Sequence, residues 1–219
     1  MKRLAVGYEF ICRIIMMVAV VNVAFVLHTL LGFVLGGLFP SVAASYAVFR
    51  QWLLDVEDRS WTIKRTWMTF HQAWLEEIGA ANQLGWPQTI IWLLLIWEYW
   101  FVQNNDLGYV GTAVSGVLLV LNVLYGLFVF LSWSVHINFN ENLLWTVRTS
   151  LVMVVARPLC SFIVLALFLA TVWSYYTWPG LMMAFGPAVP IFFTMVAVYS
   201  WGKMPGMDVR VIEPLEKKR

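Results

Sequence analysis

The sequence predicts an all-α integral membrane protein, with about five transmembrane helices and two or three amphipathic helices on the cytoplasmic surface. Of its 219 residues, 61% are hydrophobic and 12% are charged, and the mean hydropathy is +0.76. A soluble domain carries about 25% charged residues. Charged residues are also absent from long runs, such as residues 158–202. Because a membrane-spanning helix needs about 20 apolar residues, lipid is the expected cover for this apolar surface.

The charge-free runs place five spans. They are predicted near residues 12–37, 87–104, 108–133, 158–176 and 181–201. The last run holds two spans because Trp178, Pro179 and Gly180 interrupt it. Helices are expected, since the alternating pattern of a membrane barrel is missing. Residues 1–202 are thus predicted to form a single polytopic membrane domain, and residues 203–219 a short polar cytoplasmic tail.

The segment 40–54 allows two interpretations. The charge-free run 14–49 is long enough for two short spans that form a hairpin with its hinge at Gly36, Gly37 and Pro40. The second of these spans would carry Arg50 near its middle, which costs at least about 2.5–3.5 kcal/mol in a bilayer. The favoured interpretation is an interfacial helix that begins at Pro40, with an apolar stripe towards the membrane and Ser45 and Arg50 away from it. The hairpin remains the alternative.

Two further surface helices are predicted at 61–84 and 143–156, where apolar residues recur at helical spacing. Each is expected to end before a proline that begins a span, namely Pro87 and Pro158. Their aromatic and basic residues suggest a docking surface for a cytoplasmic partner, against the simpler interpretation that both helices only lie along the membrane. The candidate docking residues are Trp67, Phe70, Trp74, Arg50, Trp145 and Arg148.

The basic residues orient the chain. Three of the 14 lysines and arginines, Lys2, Arg3 and Arg13, lie before or at the very start of the first span, and with five spans the other 11 share the opposite side. The positive-inside rule places the larger group in the cytoplasm. We therefore expect a cytoplasmic C-terminus and an external N-terminus, and the hairpin alternative would move only the N-terminus to the inside.

Three polar side chains fall inside predicted spans: Asn22, Glu98 and Asn122. An ionisable group at membrane depth is by default a functional candidate, although Glu98 has the simpler explanations of a place near the boundary or a neutral, paired carboxyl. Asn22 and Asn122 are expected to form hydrogen bonds between helices. His136 is expected in a polar loop before the 143–156 helix.

The sequence offers few groups for catalysis or metal binding. It contains no zinc-protease, nucleophile-elbow or phosphate-loop motif. The three histidines are far apart, and Cys12 and Cys160 have no ligand spacing. A net charge of +2 favours no nucleic-acid partner. We expect a protein that is not an enzyme and that uses no metal or cofactor.

Residues 22–53 carry the most specific motif of the chain. It consists of Asn22, Leu31-Gly32, Gly37-Leu38-Phe39-Pro40, Ala43-Ala44, Arg50 and Trp52-Leu53. In this arrangement the chain resembles the YesL-like family of bacterial integral membrane proteins. Weaker likenesses follow at 66–85 and at Arg157-Pro158, where the family often has Asn-Pro. The resemblance covers nearly the whole chain.

Members of that family are found with binding-protein-dependent ABC importers for sugars and with glycoside-degrading systems. The resemblance therefore implies a non-enzymatic accessory or assembly subunit of a carbohydrate ABC uptake system in the bacterial plasma membrane, touching the permease or ATPase. The alternative is an autonomous small-solute transporter that acts as a homo-oligomer. Such a transporter needs a polar route through the bilayer, for which Glu98, Asn22, Asn122 and Arg157 are the candidates.

Overall fold

The structure is a computed structural model that describes residues 2–56, 58–105 and 108–202, with side chains described from residue 8 onwards. Within this part every regular element is a helix, so the all-α class is confirmed. The helices are α1 (Lys2–Leu31), α2 (Leu38–Leu54), α3 (Ile63–Gln103), α4 (Gly108–Asn138), α5 (Leu143–Ala156), α6 (Pro158–Thr177), α7 (Pro179–Phe185) and α8 (Ala188–Ala197), which a π-helical turn (Val198–Gly202) extends. The predicted tail 203–219 lies outside the described residues.

Three described helical segments are long and apolar enough to cross a membrane: Tyr8–Leu31, Gly108–Asn138 and Pro158–Thr177. A fourth results if α7 and α8 form one span, bent by 73°. This number fits a multi-pass membrane protein. The span predicted at 87–104 is not among them, because tryptophan, glutamine and glutamate side chains lower the hydropathy of that part of α3.

The predicted span 12–37 ends too late. α1 stops at Leu31, and the chain turns before α2 begins at Leu38. Phe33 and Val34 take left-handed φ angles of 53° and 65° in this turn. The turn also needs Gly32, since a Cβ there would lie 2.3 Å from the Cα of Gly37. Consequently α1 and α2 pack side by side, as in the hairpin alternative.

The prediction that α2 lies on the membrane surface is wrong. α1, α3, α4 and α8 surround this helix, and it is buried on several sides. Ser45, which was expected to face away from the apolar stripe, is fully buried and donates its hydroxyl to the Ser41 carbonyl at 2.8 Å. The small side chains of α2 let neighbouring helices approach it closely, so the apolar stripe marks only one of its buried faces.

The predicted surface helix 61–84 and the predicted span 87–104 form one continuous helix, α3, of 41 residues. Thr62 caps it, because the Thr62 hydroxyl accepts a hydrogen bond from the Arg65 amide at 3.2 Å. Pro87 therefore lies inside a helix and does not begin one, whereas Pro158 does begin α6 as predicted. The missing N–H of Pro87 removes one hydrogen bond, but packing against α1, α2 and α4 holds both halves of α3 in place.

Two clusters of buried apolar side chains form the core. The first joins α1, α2, α3 and α8 around Phe49, Phe70 and Met195. The second joins α4, α5, α6 and α8 around Leu131 and Cys160. Polar side chains lie between α2, α3, α4 and the end of α8, and they form the candidate site.

Candidate functional site

Arg50 of α2 lies in the interior of the bundle, with only 1% of its surface exposed. Its Nε donates a hydrogen bond to the Asn138 Oδ1 atom at 2.9 Å. The Tyr199 hydroxyl donates to the same oxygen at 2.5 Å, and the Asn138 side-chain amide donates to the Ser134 carbonyl at 2.8 Å. The Asn138 side chain thereby connects α2, α4 and the π-helical turn.

The buried position of Arg50 overturns its prediction as a docking residue on the polar side of the 40–54 helix. A buried guanidinium is tolerated only where hydrogen bonds replace its hydration, and Asn138 supplies one of them. The carboxylate of Asp55, at the end of the same helix, accepts hydrogen bonds from Trp61 at 2.9 Å and from Arg65 at 2.7 Å.

A second buried polar contact joins α3 to α4. The Nε2 atom of His136 lies 2.8 Å from the Oε2 atom of Glu77, and both side chains are buried. The expectation of His136 in a loop is wrong, because α4 continues to Asn138. Glu77 was not predicted. Its signal was its place three residues after Trp74 and seven after Phe70, on a face that the structure buries.

We refer to Arg50, Glu77, His136, Asn138 and Tyr199 as the polar core. These residues come from α2, α3, α4 and the π-helical turn, so the polar core fixes the mutual positions of four elements. It can hold charge and exchangeable protons away from the protein surface. Among the described residues, no group of three or more His, Cys, Asp and Glu is arranged to hold a metal ion.

The aromatic residues predicted to dock a partner pack inside the protein. Phe70 is fully buried and Trp74 is 9% exposed, while Trp67 is half-buried. Their rings surround the His28 ring at centroid distances of 5.0–5.4 Å, and the His28 Nε2 atom lies 3.0 Å from the Nδ1 atom of His71. The α3 part of the predicted docking surface is therefore wrong, since its stripe faces α1.

α5 retains an accessible face. Asn142 caps this helix, because its Oδ1 accepts a hydrogen bond from the Trp145 amide at 2.8 Å. Trp145 is half-buried against Phe139, with ring centroids 5.1 Å apart, and Arg148 is exposed. The opposite side of the helix is buried around Met153.

The Gly37, Phe39 and Pro40 motif sets the start of α2. A Cβ on Gly37 would lie 2.6 Å from the carbonyl oxygens of His28 and Thr29, so only glycine fits this close approach. The Phe39 ring stacks on Trp133 at 6.1 Å and meets Trp86 edge-on at 5.1 Å. Pro40 lies in the first turn of α2, where its missing N–H costs little.

The two predicted asparagines form hydrogen bonds between helices, as expected. Asn22 donates to the Met183 carbonyl at 3.0 Å, which joins α1 to α7. Asn122 donates to the Leu95 carbonyl at 3.2 Å, which joins α4 to α3. Glu98 is exposed on α3 and lies apart from the polar core.

A known protein family matches the part of the chain that contains the motif at residues 22–53. Residues 18–99 match the family described as "Protein of unknown function, DUF624", and this segment contains the Gly37 motif, Arg50 and Glu77. No solved structure matches the chain significantly. Over 178 residues, which are 81% of this chain and 83% of the relative, the chain is similar, at 26% identity, to the "Uncharacterized protein YesV" of Bacillus subtilis (strain 168).

Proposed function

We propose that this protein is a non-enzymatic accessory or assembly subunit of a carbohydrate ABC uptake system. The observation that carries the proposal is the exposed side of α5, which we call the α5 face. It comprises Leu144, Arg148, Leu151, Val152 and Val155, and its four aliphatic side chains are 52–83% exposed.

The α5 face has the composition of a docking site. Leu144, Leu151 and Val155 recur at intervals of seven and four, so they share one side of the helix. The buried centre of a protein interface is more apolar than its rim, and arginine is enriched at interfaces. A helix between two apolar helices, α4 and α6, is well placed to reach a second membrane protein. The choice of an ABC permease or ATPase as the partner rests on the YesL-like resemblance.

The proposal includes a topology of five spans, with α2 as the returning arm of the hairpin that begins with α1, in the bacterial plasma membrane and with a cytoplasmic C-terminus. The spans are α1, the second half of α3, α4, α6, and α7 with α8 as one bent span. The second half of α3 supports this count because Ile90, Leu93 and Leu94 leave about half of their surface exposed, as lipid-facing side chains do. The orientation rests on the distribution of basic residues.

Co-purification from native membranes in mild detergent tests the proposal. The double variant Leu144→Ala/Val155→Ala should lower the recovery of permease or ATPase per folded molecule to background, because each buried aliphatic side chain contributes about 2 kcal/mol, and a loss of about 4 kcal/mol weakens binding roughly a thousandfold. Leu30→Ala/Val26→Ala, which alters exposed aliphatic residues of α1, is the matched control and should change nothing. Unchanged recovery with the α5 variant would refute the docking role.

The polar core favours a second candidate, the autonomous transporter acting as a homo-oligomer. A buried ionisable pair such as Glu77 and His136 is the kind of group that carries protons or ions in transporters. Purified protein in liposomes should then move a solute or protons on its own, and Glu77→Gln should abolish that flux without loss of folded protein. If the protein purifies as a homo-oligomer and shows such flux, the transporter function replaces the accessory role.

A further inference from the structure

A groove of about 360 Å³ runs along α5 beside the α5 face and ends at the start of α6. Trp145, Val152 and Ala156 supply apolar walls, and Arg148 and Arg157 lie in the same groove. None of the described side chains that line it is acidic. We call it the two-arginine groove. Its chemistry combines two fixed positive charges with an apolar floor.

The two guanidinium groups lack an anionic partner within the part of the chain that the structure describes. The ion pairs found there involve Arg13, Arg65 and His136. Neither Arg148 nor Arg157 takes part in one of these pairs, and neither makes a side-chain hydrogen bond to another described residue. A groove with two such cations attracts an anion, and planar guanidinium groups match the oxygens of a phosphate.

The position of the groove indicates where the anion comes from. Arg157 directly precedes Pro158, the first residue of α6, which is long and apolar enough to cross a membrane. Side chains at the ends of such helices lie at the level of the lipid headgroups, where tryptophan is also enriched. Phosphate groups of lipids are therefore available at Arg148 and Arg157, and Trp145 suits the same layer.

We propose that the two-arginine groove binds one anionic phospholipid, with its phosphate between Arg148 and Arg157 and an acyl chain over Val152 and Ala156. Basic pockets at the ends of membrane helices select such lipids. An inorganic anion would use the arginines but would leave the apolar floor uncovered. The lipid site shares Arg148 and Val152 with the α5 face, whereas Trp145, Ala156 and Arg157 belong to the groove alone, so variants of Ala156 and Arg157 test the lipid site separately from the proposed accessory role.

Native mass spectrometry of the full chain in neutral detergent tests the proposal. The probes are phosphatidylglycerol and phosphatidylcholine with identical acyl chains, and inorganic phosphate. The wild type should retain one phosphatidylglycerol in preference to phosphatidylcholine. Arg148→Gln and Arg157→Gln should each reduce this preference about fivefold, the effect of about 1 kcal/mol per cationic side chain near an anionic lipid.

Two further variants separate a lipid site from general charge attraction. Lys64→Gln removes an exposed cation of α3 and should leave lipid retention unchanged. Ala156→Trp keeps both arginines but fills the apolar floor, so it should lower phosphatidylglycerol retention while the protein remains folded by circular dichroism. The proposal would be overturned if the wild type retained both lipids equally, or if Lys64→Gln lowered phosphatidylglycerol retention as much as the arginine variants do. It would also be overturned if inorganic phosphate protected the protein as phosphatidylglycerol does, while Ala156→Trp left lipid retention unchanged.

Discussion

Single residues decide how closely α2 and α3 approach. Gly85 of α3 lies against the Phe39 ring, and a Cβ there would come within 2.2 Å of ring carbons. Gly79 of the same helix has open space around its Cα. We predict that Gly85→Ala lowers stability by about 1–3 kcal/mol through overpacking, and that Gly79→Ala raises it by about 0.5–1 kcal/mol through helix propensity.

Thermal unfolding of both variants in detergent checks this pair. Because the two substitutions are chemically identical and share one helix, their opposite signs isolate the contact with Phe39. A Gly85→Ala protein as stable as the wild type would mean that α2 and α3 do not approach this closely.

Arg50 should not tolerate replacement by lysine, although the charge is kept. Lysine has no Nε–H in the position that donates to Asn138, and it offers a point charge in place of a planar fork. We predict that Arg50→Lys lowers stability by about 1.5–3 kcal/mol, the range for a hydrogen bond to a charged group. Arg148→Lys, at an exposed position, should leave the unfolding midpoint unchanged in detergent. A stable Arg50→Lys protein would show that charge alone suffices.

For single residues, the sequence predicts the role of a polar side chain more readily than its position in the folded protein. Asn22 and Asn122 take the predicted roles, because a polar group in an apolar helix has few partners to choose from. Arg50 and Glu77 could not be placed, since their burial depends on side chains from helices that are distant in sequence.

Among the elements, the break between α7 and α8 is the most sharply defined. Gly186 has a φ of +30° there, and a Cβ would lie 2.5 Å from the Asn22 Oδ1 atom. The Tyr175 hydroxyl donates to the Gly186 carbonyl at 2.7 Å, which holds α6 to the break. We predict that Gly186→Ala destabilises the protein by about 1–3 kcal/mol. Gly180→Ala, in the open first turn of α7, is the control and should behave like the wild type in thermal unfolding.

The loop between α2 and α3 should give the protein part of its acid sensitivity. Burial acts to raise the pKa of the Asp55 carboxyl, but hydrogen bonds from Trp61, the Asp58 amide and Arg65 outweigh it and leave the pKa below its ordinary value. A carboxyl with a lowered folded-state pKa stabilises the fold above its unfolded pKa of about 4. That contribution is lost as the pH falls through the folded-state value.

We therefore predict that Asp55→Asn lowers the unfolding midpoint at pH 7, and that the difference from the wild type shrinks as the pH falls below about 4. Unfolding midpoints of both proteins measured from pH 7 to pH 3 check this. A difference that stays constant with pH would show that the charge of Asp55 does not contribute.

Element boundaries follow from the sequence where charge and capping signals are local. α6 has nearly the predicted bounds, and α4 begins as predicted but extends further, to Asn138. The errors have a common physical cause. The stripe at Trp67, Phe70 and Trp74 faces the interior of the protein, and the same spacing would arise if it faced a partner or lipid. The position of Pro87 in the sequence indicates a helix start, but α3 continues through this residue because it packs against α1, α2 and α4.

For the whole molecule, the course of α2 decides on which side of the membrane the N-terminus lies. α2 packs along α1 and has 17 residues, which span about 26 Å at 1.5 Å per residue. This is at the lower limit of about 17–25 residues for a helix that crosses the bilayer, and the Trp52 ring near the end of α2 stacks on the Phe10 ring near the start of α1, with centroids 5.9 Å apart. α2 therefore returns along α1 to the side on which α1 begins, so the N-terminus and the start of α3 are expected on the same side of the membrane, as in the hairpin alternative.

We predict from this topology that positions 2 and 64 are cytoplasmic and that position 105 is external. In a Cys12→Ser background, Asn105→Cys should react with an impermeant thiol reagent in intact cells, whereas Lys2→Cys and Lys64→Cys should react only after permeabilisation. Labelling of both Lys2→Cys and Asn105→Cys in intact cells would mean that α2 does not cross the membrane. Labelling of Lys64→Cys in intact cells would reverse the orientation, because Lys64 belongs to the basic side of the chain and the positive-inside rule holds that side in the cytoplasm.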